Sequence, residues 1–205
     1  SPIQTKLESS DLGEAARHFI NHGVILEHKM TDQLFYAHAI TDFRAARRKV
    51  AMQEIMGRIT GRSTELLSYE EVRQKLRALE SGKVELKQIP LNAIVGSVGR
   101  YTDFTRNFLP LKDSDEGRWA RVMAATTGLV GTPPIEAYKI GEVYFVLDGN
   151  HRVSVARQLR ATSIEAYVTE VRTKVNLTPD TSPDELIIKA EQTRGNSTIN
   201  GEGRP

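Results

Sequence analysis

Val143-Tyr-Phe-Val-Leu-Asp-Gly-Asn-His-Arg152 decides how this chain is read: an apolar run stops at Asp148-Gly149, and a helical face of Val153, Ala156 and Leu159 follows. Upstream, Ile135-Glu-Ala-Tyr-Lys-Ile140 is a second β-rich run, and Gly141-Glu142 between the two suits a tight hairpin turn. Downstream, Ile164-Glu-Ala-Tyr-Val168 reads as a closing strand. A strand that stops at a glycine and feeds a helix makes an anion site. Free backbone N–H groups point outward, the helix dipole adds partial positive charge, and Gly149 lets a phosphate approach the backbone. Arg152 can add a fork of charged donors, Asn150 and His151 further hydrogen bonds, and Asp148 can orient His151 or hold a metal ion. The plainer alternative is that Asp148 caps the helix and Arg152 makes a surface salt bridge.

Working outward, Val84, Leu86 and Ile89 alternate with polar residues up to Pro90, and residues 91–95 continue extended or as a turn into Gly96 and Gly99. A helix is expected around Trp119, Val122 and Met123, broken by Gly128, Gly131, Thr132, Pro133 and Pro134. The first 85 residues read as helices. Asp11 with Glu14 has capping-box spacing, and Gly23 suits a C-terminal cap. Thr31 opens a second helix to about Gly61, with Gly57 a candidate break, and Ser68 with Glu71 caps a third that Gly82 can end. Ser182-Pro183-Asp184-Glu185 signals a last helix with a sticky Leu186, Ile187 and Ala190 face before a polar end expected to be mobile. The expected class is therefore α+β: a helical region 1–83, a small mixed sheet with helices over 84–173, and a helical then flexible tail 174–205.

Composition prunes the chemistry. The absence of cysteine among 205 residues removes disulfides, iron–sulfur clusters, thiolate zinc and cysteine nucleophiles. With 39% hydrophobic residues the chain can fill a core, which argues against wholesale disorder. Its 28 basic and 26 acidic side chains leave a charge of only +2, spread along the chain, so nucleic-acid binding needs a local argument. No apolar run reaches the ~18 residues of a membrane span, and the opening Ser-Pro-Ile-Gln-Thr-Lys lacks a signal-peptide layout. A cytoplasmic protein without a membrane partner is expected.

The segment from Pro134 to the strand at 164–168, with the entry run Gln88-Ile-Pro-Leu-Asn-Ala-Ile94, resembles the ParB/sulfiredoxin-like superfamily over about residues 84–172. The resemblance implies that fold, with Gly149, Asn150, His151 and Arg152 at the turn that cradles nucleotide phosphates. Sulfiredoxins carry a reactive cysteine where this chain has Asn150, so sulfinic-acid reduction is excluded. Partitioning ParB proteins carry Gly-Glu-Arg-Arg and a following helix-turn-helix domain, and this chain has neither. The nearest local form is the Asp-Gly-His-His-Arg of free serine kinases, matched at Asp148, Gly149, His151 and Arg152. That resemblance implies phosphoryl transfer or nucleotide hydrolysis with ATP, ADP or CTP and Mg²⁺. Asp148 would hold the metal, and Asp148, His151 and Asp103 would serve as catalytic groups.

Two further clusters are candidates. Arg100 and Arg106, with Asp103 and the aromatics Tyr101, Phe104 and Phe108, suit a ligand with phosphates and a flat base; the alternative is that the rings are core and the arginines solvated. Arg118 and Arg121 beside Trp119 read as a surface helix. Arg44, Arg47 and Arg48 form a basic patch that would carry DNA in a DNA-binding or DNA-processing reading, although such a run more often is a solvated face. His18 and His22 have chelating spacing without an acidic third ligand. A third reading is a non-enzymatic module that makes a homodimer through the N-terminal helices.

Overall fold

The structure is a computed structural model that describes residues 9–60, 64–128, 131–173, 177–179 and 185, with side chains described from residue 31 on except at 32 and 81. One helix, α1, runs from Ser9 to Thr60 without interruption. The expected start at Asp11, the stop at Gly23 and the break at Gly57 are therefore corrected. A glycine inside a helix costs only about 1 kcal/mol relative to alanine, and the surrounding Ala, Leu, Glu, Arg and Lys residues sustain the hydrogen-bond ladder through both.

After α1 come β1 (Leu67–Ser68), α2 (Tyr69–Leu76), β2 (Leu79–Pro90), β3 (Ile94–Ser97), α3 (Glu116–Thr127), β4 (Ile135–Ile140), β5 (Val143–Asp148), α4 (Asn150–Gln158) and β6 (Ser163–Arg172). The cap of α2 forms as its spacing predicts, with Ser68 Oγ accepting from Glu71 N–H at 3.4 Å. Its end does not lie at Gly82. Arg77 takes the left-handed conformation at φ 48° and Ala78 N–H reaches back to Arg73 O, while Gly82 sits at the irregularity of β2 between Glu80 and Val84.

The strands form one mixed sheet in the order β1-β3-β5-β4-β6-β2, so the fold is α+β. β4 and β5 are the expected hairpin, closing at Ile140 opposite Val143. β5 also pairs in parallel with β3, β4 in parallel with β6, and β2 antiparallel with β6. The expected boundary between residues 83 and 84 falls within β2, and β1 joins the sheet's edge beside β3. Gly96 permits that edge to form: a Cβ there would lie 2.4 Å from both Leu67 O and Phe145 Cδ1.

Alternation along β5 places its side chains on two faces, both covered. Tyr144 and Val146 join the core with Ile135, Ala166, Val153 and Ala156, whereas Val143 and Phe145 join Tyr69, Val72 and Leu76 of α2. That explains why Val143-Tyr-Phe-Val146 reads as a continuous apolar run. A third cluster, Ala39, Phe43, Trp119, Ala120, Met123 and Val155, fastens α1 to α3 and α4. There Trp119 Nε1 donates to Ser154 Oγ at 2.9 Å and its ring meets Phe43 edge-on. Among the described residues no helix is long and apolar enough to cross a membrane. The expected helix from Ser182 and its Leu186 face lie outside the described residues, apart from Glu185.

Candidate functional site

The turn between β5 and α4 is built around Gly149, the N-cap of α4, at φ 105°. An added Cβ would lie 2.5 Å from Ile135 Cγ2, so only glycine keeps the strand end, the helix start and β4 this close. No side chain caps the helix. The N–H groups of its first turn therefore remain available to a ligand.

A pocket of about 290 Å³ opens over this helix start. Gly149, Asn150, His151 and Arg152 line its base, with Val98, Arg100, Arg118 and Val122 around it. Asn150 and His151 are only 5% and 7% exposed, and among the described residues Asn150 Oδ1 and both ring nitrogens of His151 have no hydrogen-bond partner. Asp115 Oδ1 stands 3.7 Å from His151 Nε2, beyond hydrogen-bond range, and Asp115 Oδ2 is likewise buried without a partner. Phe104 meets the imidazole edge-on at 5.2 Å. Burial is the main reason the His151 pKa falls to about 4, with Arg100 and Arg118 adding to the depression against Asp115 and Asp103. The ring is neutral at pH 7, with one nitrogen a donor and the other an acceptor.

Arg152 is held inside the fold. Its Nη1 donates to Pro133 O at 2.8 Å and Pro134 O at 2.7 Å, and its Nη2 pairs with Asp148 Oδ2. It thus ties α4 to the chain entering β4. The Asp148 side chain is 70% exposed.

The remaining expected residues divide. Arg100 lines the pocket and lies 3.5 Å from Asp103, whose other oxygen takes Lys112 Nζ at 2.6 Å. Arg106 is not among the pocket-lining residues; it donates to Pro179 O at 3.1 Å, and its backbone carbonyl accepts from Arg157. Phe104 and Phe108 are fully buried in the core and Tyr101 packs partly against it, so the two phenylalanines are not available to stack on a base. Arg44 pairs with Glu116 at 3.0 Å and Arg47 with Asp113 at 2.8 Å, fastening α1 to the start of α3, while Arg48 is exposed. The His18 and His22 side chains lie outside those described, and among the described residues no group of three His, Asp or Glu is arranged to hold a metal.

Three residues enter that sequence reasoning missed or set aside. Asp115 stands just before α3, where an acid is read as a cap; it makes no capping bond and faces His151 instead. Arg118 was expected on a surface helix, and it rims the pocket. Arg157 lies four residues after Val153, on the apolar side of α4, a position where arginine needs several acceptors; that spacing was the available signal.

No protein-family model matches the chain, and no curated protein matches it. Among solved structures it is similar to the crystal structure of sulfiredoxin from Arabidopsis thaliana, at 15% identity and a TM-score of 0.32, covering 41% of this chain and 83% of that one. At that level of likeness no activity passes from that enzyme to this chain.

Proposed function

We propose that the pocket at the start of α4 binds a nucleotide, the phosphates resting on the first-turn N–H groups of α4 between Arg100 and Arg118. The observation that carries this reading is the pair of buried, unpartnered side chains, Asn150 and His151, lining a pocket rimmed by two arginines. Leaving such atoms unpaired costs about 1–3 kcal/mol each, a cost that a ligand offsets. The pattern also speaks to the ligand's class. The arginines and the helix N-terminus call for an anion. Asn150 Oδ1 accepts and so would pair with a donor on the ligand, such as a ribose hydroxyl or a base amino group, rather than with a phosphate oxygen.

In this reading ATP, ADP or CTP is the ligand class, in line with the resemblance of the turn to nucleotide-binding members of the ParB/sulfiredoxin-like superfamily. Asp148 would hold Mg²⁺ on the phosphates, since Mg²⁺ takes one or two carboxylates plus phosphate oxygens and the Asp148 side chain is 70% exposed. Asp103 is engaged by Lys112 and Arg100 and Asp148 by Arg152, so neither carboxylate stands free as a base for phosphoryl transfer or hydrolysis. The DNA reading draws on Arg44, Arg47 and Arg48, two of which are paired with carboxylates, and no observation favours it.

Isothermal titration of ATP, ADP and CTP, with and without Mg²⁺, tests the proposal on the wild type and on Arg100→Ala and Arg118→Ala. These variants suit the test better than Arg152→Ala, which also cuts a tie to Pro133 and Pro134. Binding that weakens about tenfold or more in each variant is expected. No binding to a folded sample overturns the reading, and binding unaffected by both substitutions moves the site elsewhere.

A further inference from the structure

The second half of α4 opens onto another pocket, of about 240 Å³, bounded by α1 and by the segment after Arg106. It shares no residue with the pocket at the start of α4. Lys49, Ser154, Arg157 and Gln158 line it, and among the described residues no Asp or Glu does. Ala46 and Leu109 supply an apolar wall, with Asn107 beside them. Arg157 gives this pocket its character. Carbonyl oxygens of Leu91, Ile94 and Arg106 meet its N–H groups, so the acceptors that it serves are satisfied. Its charge is not. Among the described residues no carboxylate pairs with Arg157 or with Lys49, and the charge that acts on Arg157 is that of Arg106, of the same sign. A cation drawn out of water is costly unless an opposite charge faces it, and carbonyl dipoles supply only part of that.

The donors left over call for the same kind of ligand. Lys49 Nζ donates to Gln158 Oε1 at 3.2 Å, which leaves further N–H groups on Lys49 and the amide N–H groups of Gln158 without an acceptor among the described residues. Arg157 Nε, which is not fully buried, has no acceptor there either. Ser154 is only 3% exposed; its oxygen accepts from Trp119 Nε1 at 2.9 Å, so its hydroxyl proton remains to be given. We propose that this pocket binds a small organic acid, its carboxylate or phosphate group held between Lys49 and Arg157 and its carbon skeleton against Ala46 and Leu109. The anion supplies the counter-charge that Arg157 lacks, in charge-assisted hydrogen bonds. The volume suits a ligand well below drug size. Because Lys49 and Ala46 belong to α1 and Ser154, Arg157 and Gln158 to α4, an occupant also ties the two helices together.

This inference is independent of the nucleotide reading and is tested by NMR titration of the full, ¹⁵N-labelled chain with succinate and with inorganic phosphate, the ionic strength held constant with chloride. Saturable shifts at the backbone amides of Asn107, Ser154, Arg157 and Gln158 are expected with at least one probe, and the tighter of the two identifies the oxyanion. Lys49 is exposed, so its substitutions keep the fold. Lys49→Gln is expected to weaken that binding about fivefold or more, and Lys49→Glu, which brings a carboxylate to the pocket, to abolish it. Arg100→Ala, in the other pocket, is expected to leave it unchanged. The absence of saturable shifts at those amides up to about 10 mM of either probe overturns the proposal. Binding that survives Lys49→Glu overturns it too, and binding that is lost in Arg100→Ala while Lys49→Gln retains it moves the anion to the start of α4.

Discussion

The two ends of α4 treat buried polar groups in opposite ways. At the C-terminal end Arg157 donates to Leu91 O at 2.6 Å, Ile94 O at 2.9 Å and Arg106 O at 3.1 Å, and its guanidinium lies 5.0 Å from the centre of the Phe108 ring. Burial first, and then nearby Arg106, lower its pKa to about 10, so it stays charged at neutral pH. At the N-terminal end Asn150 and His151 are as deeply placed and have partners for none of the atoms named above. Completeness marks a fastening, since three carbonyls of the 91–106 region are closed by one side chain. Incompleteness at the other end marks a place finished by something from outside.

That contrast can be broken by substitution. Arg157→Met removes the donor and leaves three acceptors behind, and it is expected to cost about 3 kcal/mol or more in urea unfolding; a cost below about 1 kcal/mol would erase the distinction between the ends. Gly149→Ala forces a side chain to φ 105° and into Ile135, with an expected loss of about 2 kcal/mol together with weakened nucleotide binding. Next comes pH. Because the folded-state pKa of His151 is depressed, to about 4, the unfolded chain binds the extra proton as pH falls below its ordinary value near 6.5. Stability is therefore full above about pH 6.5 and is lost progressively toward pH 4, at close to 1 kcal/mol per pH unit. His151→Gln should remove that part of the slope when unfolding midpoints are compared across the window, and an unchanged slope would show that the ring is not held neutral. The smallest effect is sought at Arg118→Ala, expected to alter stability by no more than about 0.5 kcal/mol while lowering nucleotide affinity; a large destabilisation would make Arg118 a fastening like Arg157.

The strands were legible because their signals are local. Gly141-Glu142 fixes the hairpin, and Val143 to Val146 are apolar on both faces because both faces are covered. The strand's end at Gly149 and the helix after it were legible too, but the cap was not: Asp148 reads as the capping side chain, and the N-cap is Gly149 itself with no side-chain bond. Helix ends were harder. Gly23 and Gly57 look like stops, yet a helix already propagating passes through them, whereas Arg77 ends α2 because Ala78 and β2 demand the turn there. Within the site, residue types were readable and their engagements were not. The spacing of Asp148 and Arg152 shows that they can meet on one helix turn, but nothing local shows that Pro133 and Pro134 supply the other acceptors. The pairing of Arg44 with Glu116 spans 72 residues, and the approach of Asp115 to His151 depends on how α3 lies against α4.

Trp119 is the only tryptophan in the chain, fully buried where α1, α3 and α4 meet, with its indole bonded to Ser154. Its fluorescence is therefore a built-in optical gauge of that junction. Separation of α1 from the body would wet the ring and move its emission to the red. Occupancy at the start of α4, four residues from Ser154, would reach the same indole through one hydrogen bond. Titrations of the unlabelled protein can thus follow both events in a single signal, without adding a dye.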